Sequence, residues 1–262
     1  MYSFGFIGCG NMGGALCRAV AKTEKNIAVA DAFGETAEKC ASDTGAAICD
    51  NAGIAGNSEF VVLGVKPQIL GSVVSEIAPQ ILERERAVVI SMAAGVSIEK
   101  IRAMFKSDVP VIRIMPNTPA AIGEGMIVFA SDGVTEKEKE AFLKGFSAAG
   151  EIEEIPEKLI DAASAVSGCG PAFVYMFIEA LADGGVRCGL PRALAYKLAA
   201  KTVGGSAKMP GMTGKHPGEL KDAVCSPGGS TIEGVAALEE GAFRGTVSDA
   251  VTAAFERTKE LG

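Results

Sequence analysis

"GFIGCGNMGGAL", residues 5–16, sets glycines at 8, 10 and 13 directly behind a short apolar run and ahead of a helical pattern. A strand that empties into G-x-G-x-x-G and then a helix is the phosphate-binding turn of a βαβ unit. The first glycine permits the tight turn, the second lets the backbone approach a pyrophosphate, and the third allows close packing of helix on strand. The helix amino terminus stabilises the negative charge. Gly8, Gly10 and Gly13 fit those roles, so the stretch predicts a bound dinucleotide. A second strand, "NIAVAD", follows and ends at Asp31, where a carboxylate accepts hydrogen bonds from the adenine ribose and repels a 2′-phosphate. That position favours NADH. Whether Asp31 faces the ribose depends on where the strand ends, so the residues by themselves leave the coenzyme choice open.

Outward from this turn the pattern alternates strand and helix, which favours a parallel sheet with helices on both faces. "YSFGFIG", "NIAVAD", "EFVVLGV", "AVVISMA", "VPVIRIMP" and "GMIVFA" read as strands; "NMGGALCRAVAK", "GETAEKCASDTG", "ILGSVVSEIAPQI" and "SIEKIRAMF" read as helices. After "EEIPEKLID" the Val/Ile-rich runs stop and long helical patterns take over. The expected architecture is α/β: a Rossmann-like doubly wound sheet in residues 1–155, followed by an all-helical C-terminal dimerisation domain in residues 156–262. The helix containing residues 173–182 is apolar around most of its circumference, with Tyr175, Glu179 and Asp183 in one stripe, and is expected to be buried on nearly all sides. A helical domain of this size struggles to bury it alone. An intertwined homodimer is the economical solution, with room for a higher homo-oligomer of dimers.

Composition narrows the function classes. The 48% hydrophobic and 22% charged content belongs to a folded chain, and a net charge of −7 provides no basic face for a phosphate backbone, so nucleic acid is set aside. Seven cysteines without a C-x-x-C pair read as buried thiols of a reducing compartment. "MYSFGFIGCG" reads as a first strand rather than a signal peptide, and the expected location is cytoplasmic. The longest uncharged stretch is interrupted by "GCGP", expected to break any helix there, so no membrane span is expected. With one histidine, a metal site is not expected.

Other candidates sit at strand ends. "VVLGVKPQ" brings Lys66 and Pro67 to a carboxyl edge, where open α/β sheets bind ligands. "IMPNTPAAIGEG" places Asn117 and Thr118 similarly, as weaker cleft candidates. Near the carboxyl end, "SPGGSTI" (226–232) leads into a helix and offers backbone N–H groups, hydroxyls and a positive dipole end to a carboxylate. On spacing alone an ordinary capped helix explains it equally well. His216, before Pro217, reads as a loop or capping residue, and Cys225 as a small packing group.

Four stretches, "GVKPQ", "RIMPNTPA", "AVSGCGPAFVYMFIEALADGGVRCGLPR" and "HPGELKDAVCSPGGSTIEGVAALE", make the chain resemble pyrroline-5-carboxylate reductase from end to end. "SPGGSTI" is the most specific of them. The resemblance implies reduction of (S)-1-pyrroline-5-carboxylate to L-proline, the last step of proline biosynthesis, with NADPH or NADH. It also implies a helical domain that interlocks with its twin, with substrate near that interface. The family's cofactor positions fall on Gly8, Cys9, Gly10, Asn11, Met12 and Gly13, on Asn51, and on Val65, Lys66 and Pro67. Its substrate positions fall on Ser226, Gly228, Gly229, Ser230 and Thr231. The chain departs from many relatives at Asp31, where they carry a serine or a basic residue, and at Ala223, where they carry asparagine. Reducing a protonated imine needs only a proton source or a hydroxyl partner at the nitrogen rather than a strong base. Thr231 is the candidate for that hydroxyl, with Ser226 beside it.

Two rivals are weighed. A β-hydroxyacid dehydrogenase would carry a lysine four residues after its second-domain glycine motif, where "GCGPAFV" has Val174. A nucleotide-sensing regulator would have a degraded second-domain loop, and "SPGGST" is intact.

Overall fold

Strand β1 (Tyr2–Ile7) opens the fold, followed by α1 (Asn11–Thr23), β2 (Ile27–Ala30), α2 (Gly34–Thr44), β3 (Ala47–Ile48) and α3 (Asn51–Asn57). The chain continues through β4 (Ser58–Leu63), α4 (Pro67–Leu82), β5 (Val88–Ser91), α5 (Ile98–Phe105), β6 (Val111–Met115), β7 (Gly125–Asp132), α6 (Glu136–Phe146) and β8 (Gly150–Glu154). Helices α7 (Ile160–Ala163), α8 (Gly170–Arg187), α9 (Arg192–Thr213), α10 (Pro217–Ala223), α11 (Ser230–Glu240) and α12 (Phe243–Leu261) complete it. These elements come from a computed structural model that describes residues 1–261. They form two compact units, Met1–Cys169 together with the residues from Ala254 onward, and Gly170–Ala253.

In the first unit one sheet runs in the order β3-β2-β1-β4-β5-β6-β7-β8. The six strands from β3 to β6 are parallel, β7 pairs antiparallel to β6, and β8 runs parallel to β7. Residues 116–124 are too few for a crossover, which takes a dozen or more, so β7 must turn back on β6. Alternation along the strands builds two cores. Phe4, Phe6, Phe60 and Phe129 join Leu16 of α1 and Phe142 and Phe146 of α6 on one face, with Phe4 stacked on Phe60 at 4.8 Å. Ile7, Val61, Leu63 and Val89 meet Leu70, Val74 and Ile77 of α4 and Ile101 and Phe105 of α5 on the other. Short β3 and acidic β8 are not expected from periodicity; both are edge strands held by pairing with β2 and β7. Helix α6 announces itself by a capping box in which the Thr135 and Glu138 side chains serve each other's backbone N–H. Arg86, bonded to Glu138, holds that carboxyl down at about 2.

The expected helix break at "GCGP" does not occur. A π turn at Ser164–Gly168 carries α7 into α8, and residues 157–187 form a continuous helical stretch. Pro171 lacks the N–H that would bond the carbonyl four residues back, Ser167 O, and that carbonyl accepts from Asn117 Nδ2 at 3.0 Å instead. The other end of the same amide, Asn117 Oδ1, accepts from Met126 N at 2.9 Å. Asn117 is buried and consumed at both ends. Asn117→Ala is therefore expected to destabilise the protein by about 2–4 kcal/mol, because a backbone acceptor and donor both lose their partner. Chemical denaturation measures it, and a loss below about 0.5 kcal/mol would contradict this role.

In the second unit the helices carry little burial of their own. Within α8 only Ala182 is buried, with Ala195 and Ala199 of α9 against it. Val174, Tyr175, Met176 and Leu181 are exposed. A single chain thus leaves bare the helix expected to be covered on nearly all sides. An apolar groove of about 390 Å³ lies beside it, lined by Phe173, Met176, Phe177, Leu238, Phe243 and Val247. The 157–187 stretch is also long and apolar enough, by length and composition, to cross a membrane. The expectation of uniformly buried thiols needs correction too: Cys9, Cys17 and Cys40 are buried, Cys49, Cys169 and Cys225 half-buried, and Cys188 exposed. Cys188 ends exposed because it follows α8 at the turn into α9, outside the sheet's cores.

Candidate active site

The glycine turn is built by three backbones in contact. Gly8 leaves β1 at φ +95°, and a Cβ on Gly13 would lie 2.1 Å from Gly8 O. A Cβ on Gly64, just beyond β4, would lie 2.5 Å from the same oxygen. The end of β1, the first turn of α1 and the end of β4 can approach this closely only without side chains. Gly10 differs, since a Cβ there meets nothing within 4 Å. Gly10 is the N-cap of α1 and no side chain caps that end. The first-turn N–H groups of α1, at Asn11, Met12 and Gly13, thus face open space beside Gly10, a cradle that fits a pyrophosphate.

Asp31 sits one residue beyond β2. Its Oδ2 accepts from Cys9 N at 2.7 Å and its Oδ1 from Phe33 N at 2.9 Å, so the carboxylate ties the glycine turn to the loop after β2. Periodicity carries no sign of this bond, because it joins residues that only the parallel pairing of β1 with β2 brings together. The Cys9 side chain turns inward, its thiol donating to Ala30 O at 3.7 Å. Hydrogen bonding with Cys40 and burial push the Cys9 and Cys17 thiols up, which keeps them neutral packing groups.

The strand order reverses between β1 and β4, and the crevice at their carboxyl ends is where such sheets take ligands. Val65, Lys66 and Pro67 occupy that edge. Lys66 is the exposed N-cap of α4, Pro67 its first residue, and Val65 is half-buried. Asn51, the first residue of α3, is engaged elsewhere, its Nδ2 donating to Glu76 Oε2 on α4 at 2.9 Å. Of the two weaker candidates, Asn117 is a buried structural bridge rather than a cleft residue, and Thr118 is exposed.

In the second unit the loop at 226–229 is tight. Ser226 O accepts from Gly229 N at 3.0 Å, Gly228 takes φ +66°, and a Cβ on Gly229 would lie 2.3 Å from Ser226 Oγ. Gly229 is the N-cap of α11, and no side chain caps this helix. Among the described residues no side-chain hydrogen bond engages Ser226, Ser230 or Thr231, and all three are exposed. An ordinary side-chain-capped helix is not what forms. The loop presents free hydroxyls and free first-turn N–H groups, an arrangement suited to a carboxylate. His216 caps α10, accepting from Gly218 N at 3.1 Å, as expected of a capping residue.

A sheet of this order with a glycine turn at its switch point defines the class: a dinucleotide-binding protein with a helical second unit. Residues 3–95 match the family described as NADP oxidoreductase, coenzyme F420-dependent, and residues 157–261 match pyrroline-5-carboxylate reductase dimerisation. The chain is 40% identical over 273 residues to the pyrroline-5-carboxylate reductase of Escherichia coli, covering 98% of this chain and 97% of that one, and it belongs to the pyrroline-5-carboxylate reductase family. It is 49% identical over 214 residues to the Synechocystis enzyme of that name, covering 81% of this chain and 79% of that one. Among solved structures, the Plasmodium falciparum pyrroline carboxylate reductase with NADP bound matches with a TM-score of 0.88 at 36% identity, covering 100% of this chain and 98% of that one.

Proposed function

We propose that the protein reduces (S)-1-pyrroline-5-carboxylate to L-proline with NADPH, or NADH, as the last step of proline biosynthesis. The observation that carries this reading is the uncapped start of α11 behind the 226–229 loop, with three free hydroxyls and no cation needed to hold a carboxylate. When bound, the coenzyme supplies the hydride. Gly10, Asn11, Met12 and Gly13 hold its pyrophosphate through backbone N–H groups, Gly8 and Cys9, whose N–H groups are bonded to Ala30 O and Asp31 Oδ2, shape the turn beneath it, Asp31 takes the ribose, and Val65, Lys66 and Pro67 line its path along the sheet edge. Asn51 belongs to this set by its place in the family, although its amide is bonded to Glu76.

Ser226, Gly228 and Ser230 bind the substrate carboxylate, where the α11 dipole and N–H groups favour an anion, and Gly229, its N–H bonded to Ser226 O, shapes the loop that presents them. Thr231 places its hydroxyl at the ring nitrogen, and Ser226 orients the ring. The protonated imine already carries its proton, so hydride addition at carbon leaves a neutral amine and no general base is required. We assign the dinucleotide function to residues 1–155, and substrate and dimer functions to residues 156–262. A second copy covers α8 and its groove, which supports reading the apolar 157–187 stretch as a dimer face rather than a span. A cytoplasmic location suits such an enzyme.

The test is oxidation of NADPH and NADH by the purified protein, with and without pyrroline-5-carboxylate, with the product identified as proline. Binding of coenzyme without substrate-dependent oxidation would favour the regulatory reading. In the same assay Thr231→Ala is expected to lower kcat by about 10²-fold while coenzyme affinity stays within about twofold. Unchanged turnover would remove Thr231 from this role.

A further inference from the structure

We infer that this chain selects NADH over NADPH, with Asp31 rejecting the 2′-phosphate and the Phe33 ring serving as a platform for adenine. The inference rests on the dinucleotide reading above and narrows it.

Both Asp31 oxygens are fixed by backbone N–H groups of the two loops that border the adenosine end, Cys9 and Phe33. So held, the carboxylate cannot swing away from an incoming ribose. An ionised carboxylate only accepts hydrogen bonds, and each of its oxygens keeps a lone pair beyond the one already used. A ribose 2′-hydroxyl can donate to it. A 2′-phosphate is itself an anion that only accepts, so it meets like charge and no donor.

The loop after β2 offers no compensating cation. Residues 31–38, "DAFGETAE", contain Asp31, Glu35 and Glu38 and no lysine or arginine. The basic side chains bordering the hollow next to Gly10 and Asn11 are Arg18 and Lys39. Both are turned to one carboxylate, Asp43, at 3.5 and 3.8 Å.

Phe33 is 75% exposed, although it directly precedes α2 as its N-cap. A large ring held at the N-cap in solvent gains nothing for the fold, since neither core includes it. Its own N–H is bonded to Asp31, which fixes the ring's base beside the ribose position. A flat apolar face at that place suits a purine, and base–aromatic stacking is tolerant of ring substituents.

The experiment is titration of the full chain with NADH and with NADPH, read by calorimetry. The expected result is a Kd for NADH at least about tenfold below that for NADPH. Asp31→Ser should bring the two within about threefold of each other, chiefly by tightening NADPH. Because Asp31 also ties down the glycine turn, Phe33→Arg serves as a second variant that leaves the Asp31–Cys9 bond intact; it should tighten NADPH relative to NADH by about tenfold. Phe33→Ala should weaken both coenzymes by a similar factor of about ten. Equal affinities in the unaltered protein, or tighter NADPH, would overturn the selection. Unchanged binding of both coenzymes by Phe33→Ala would overturn the platform. Binding of neither coenzyme would instead bring down the dinucleotide reading itself.

Discussion

Gly13→Val is expected to destabilise the protein by about 3 kcal/mol or more, whereas Gly10→Val leaves the fold within about 1 kcal/mol and removes the coenzyme. The two glycines stand three residues apart in one motif, yet they answer to different forces. A Cβ on Gly13 would sit 2.1 Å from Gly8 O, and neither backbone can yield without parting α1 from β1 and β4. A Cβ on Gly10 meets nothing within 4 Å, and the residue's φ of −62° is open to any amino acid. The space it would fill is the pyrophosphate's. Denaturant unfolding combined with coenzyme titration separates the two. Gly10→Val should show a nearly unchanged midpoint with coenzyme affinity down by about 10²-fold or more, a loss of about 3 kcal/mol. If Gly10→Val binds coenzyme normally, the pyrophosphate does not pass over this residue.

Removing both carboxylates that face Arg113 is expected to cost more than removing Arg113. The guanidinium is 3% exposed on β6, with Nη1 3.3 Å from Glu157 Oε1 and Nη2 2.5 Å from Asp161 Oδ1. The carboxylates are about a third exposed and remain hydrated without their partner. Moreover, Arg113 Nε has no acceptor among the described residues, so a methionine of similar length relieves one unmet demand. Arg113→Met should therefore lose only about 1–2 kcal/mol, while Glu157→Ala combined with Asp161→Ala strands a buried cation at about 3–5 kcal/mol. The double variant also frees Ile98 N at the start of α5, which Glu157 Oε1 accepts at 2.7 Å. Equal losses in urea unfolding would mean that water reaches Arg113.

Much of the first unit is legible locally because its signals are short-range. The apolar run of residues 4–7, the glycines at 8, 10 and 13 and the strand ending at Ala30 lie within one βαβ unit, and their spacing alone implies the turn. What escapes is set by pairing. β3 is two residues long, and β8 is acidic; neither has a period to detect, and each exists because a neighbour's edge offers it hydrogen bonds. The reversal at β7 was there to be read, in a connection too short for any crossover. So was α6, in the T-x-x-E pattern at Thr135 and Glu138. Helix α3, "NAGIAGN", is a poor helix former by composition and depends on Asp50, whose Oδ1 accepts from Gly53 N at 2.7 Å.

Site residues divide along the same line. The roles proposed for Gly8, Gly10 and Gly13 and for the 226–231 loop are read from their own neighbourhood. Asn117 looks like a cleft residue between two prolines until its partners appear, one of them the carbonyl that Pro171 leaves unbonded, far along the chain. Asp31 reads as a ribose ligand, but its hold on Cys9 N requires β1 and β2 to be side by side.

The bareness of α8 has a bearing on how the protein lives at low abundance. The sheet's two cores are complete within one chain, so its folding is a first-order event, indifferent to how many copies surround it. The second unit, in the proposed dimer, draws the cover for its apolar helix from another molecule, and its stability then scales with the logarithm of protein concentration. A newly made copy would hold a finished glycine turn while the loop proposed to take substrate still waited on an encounter.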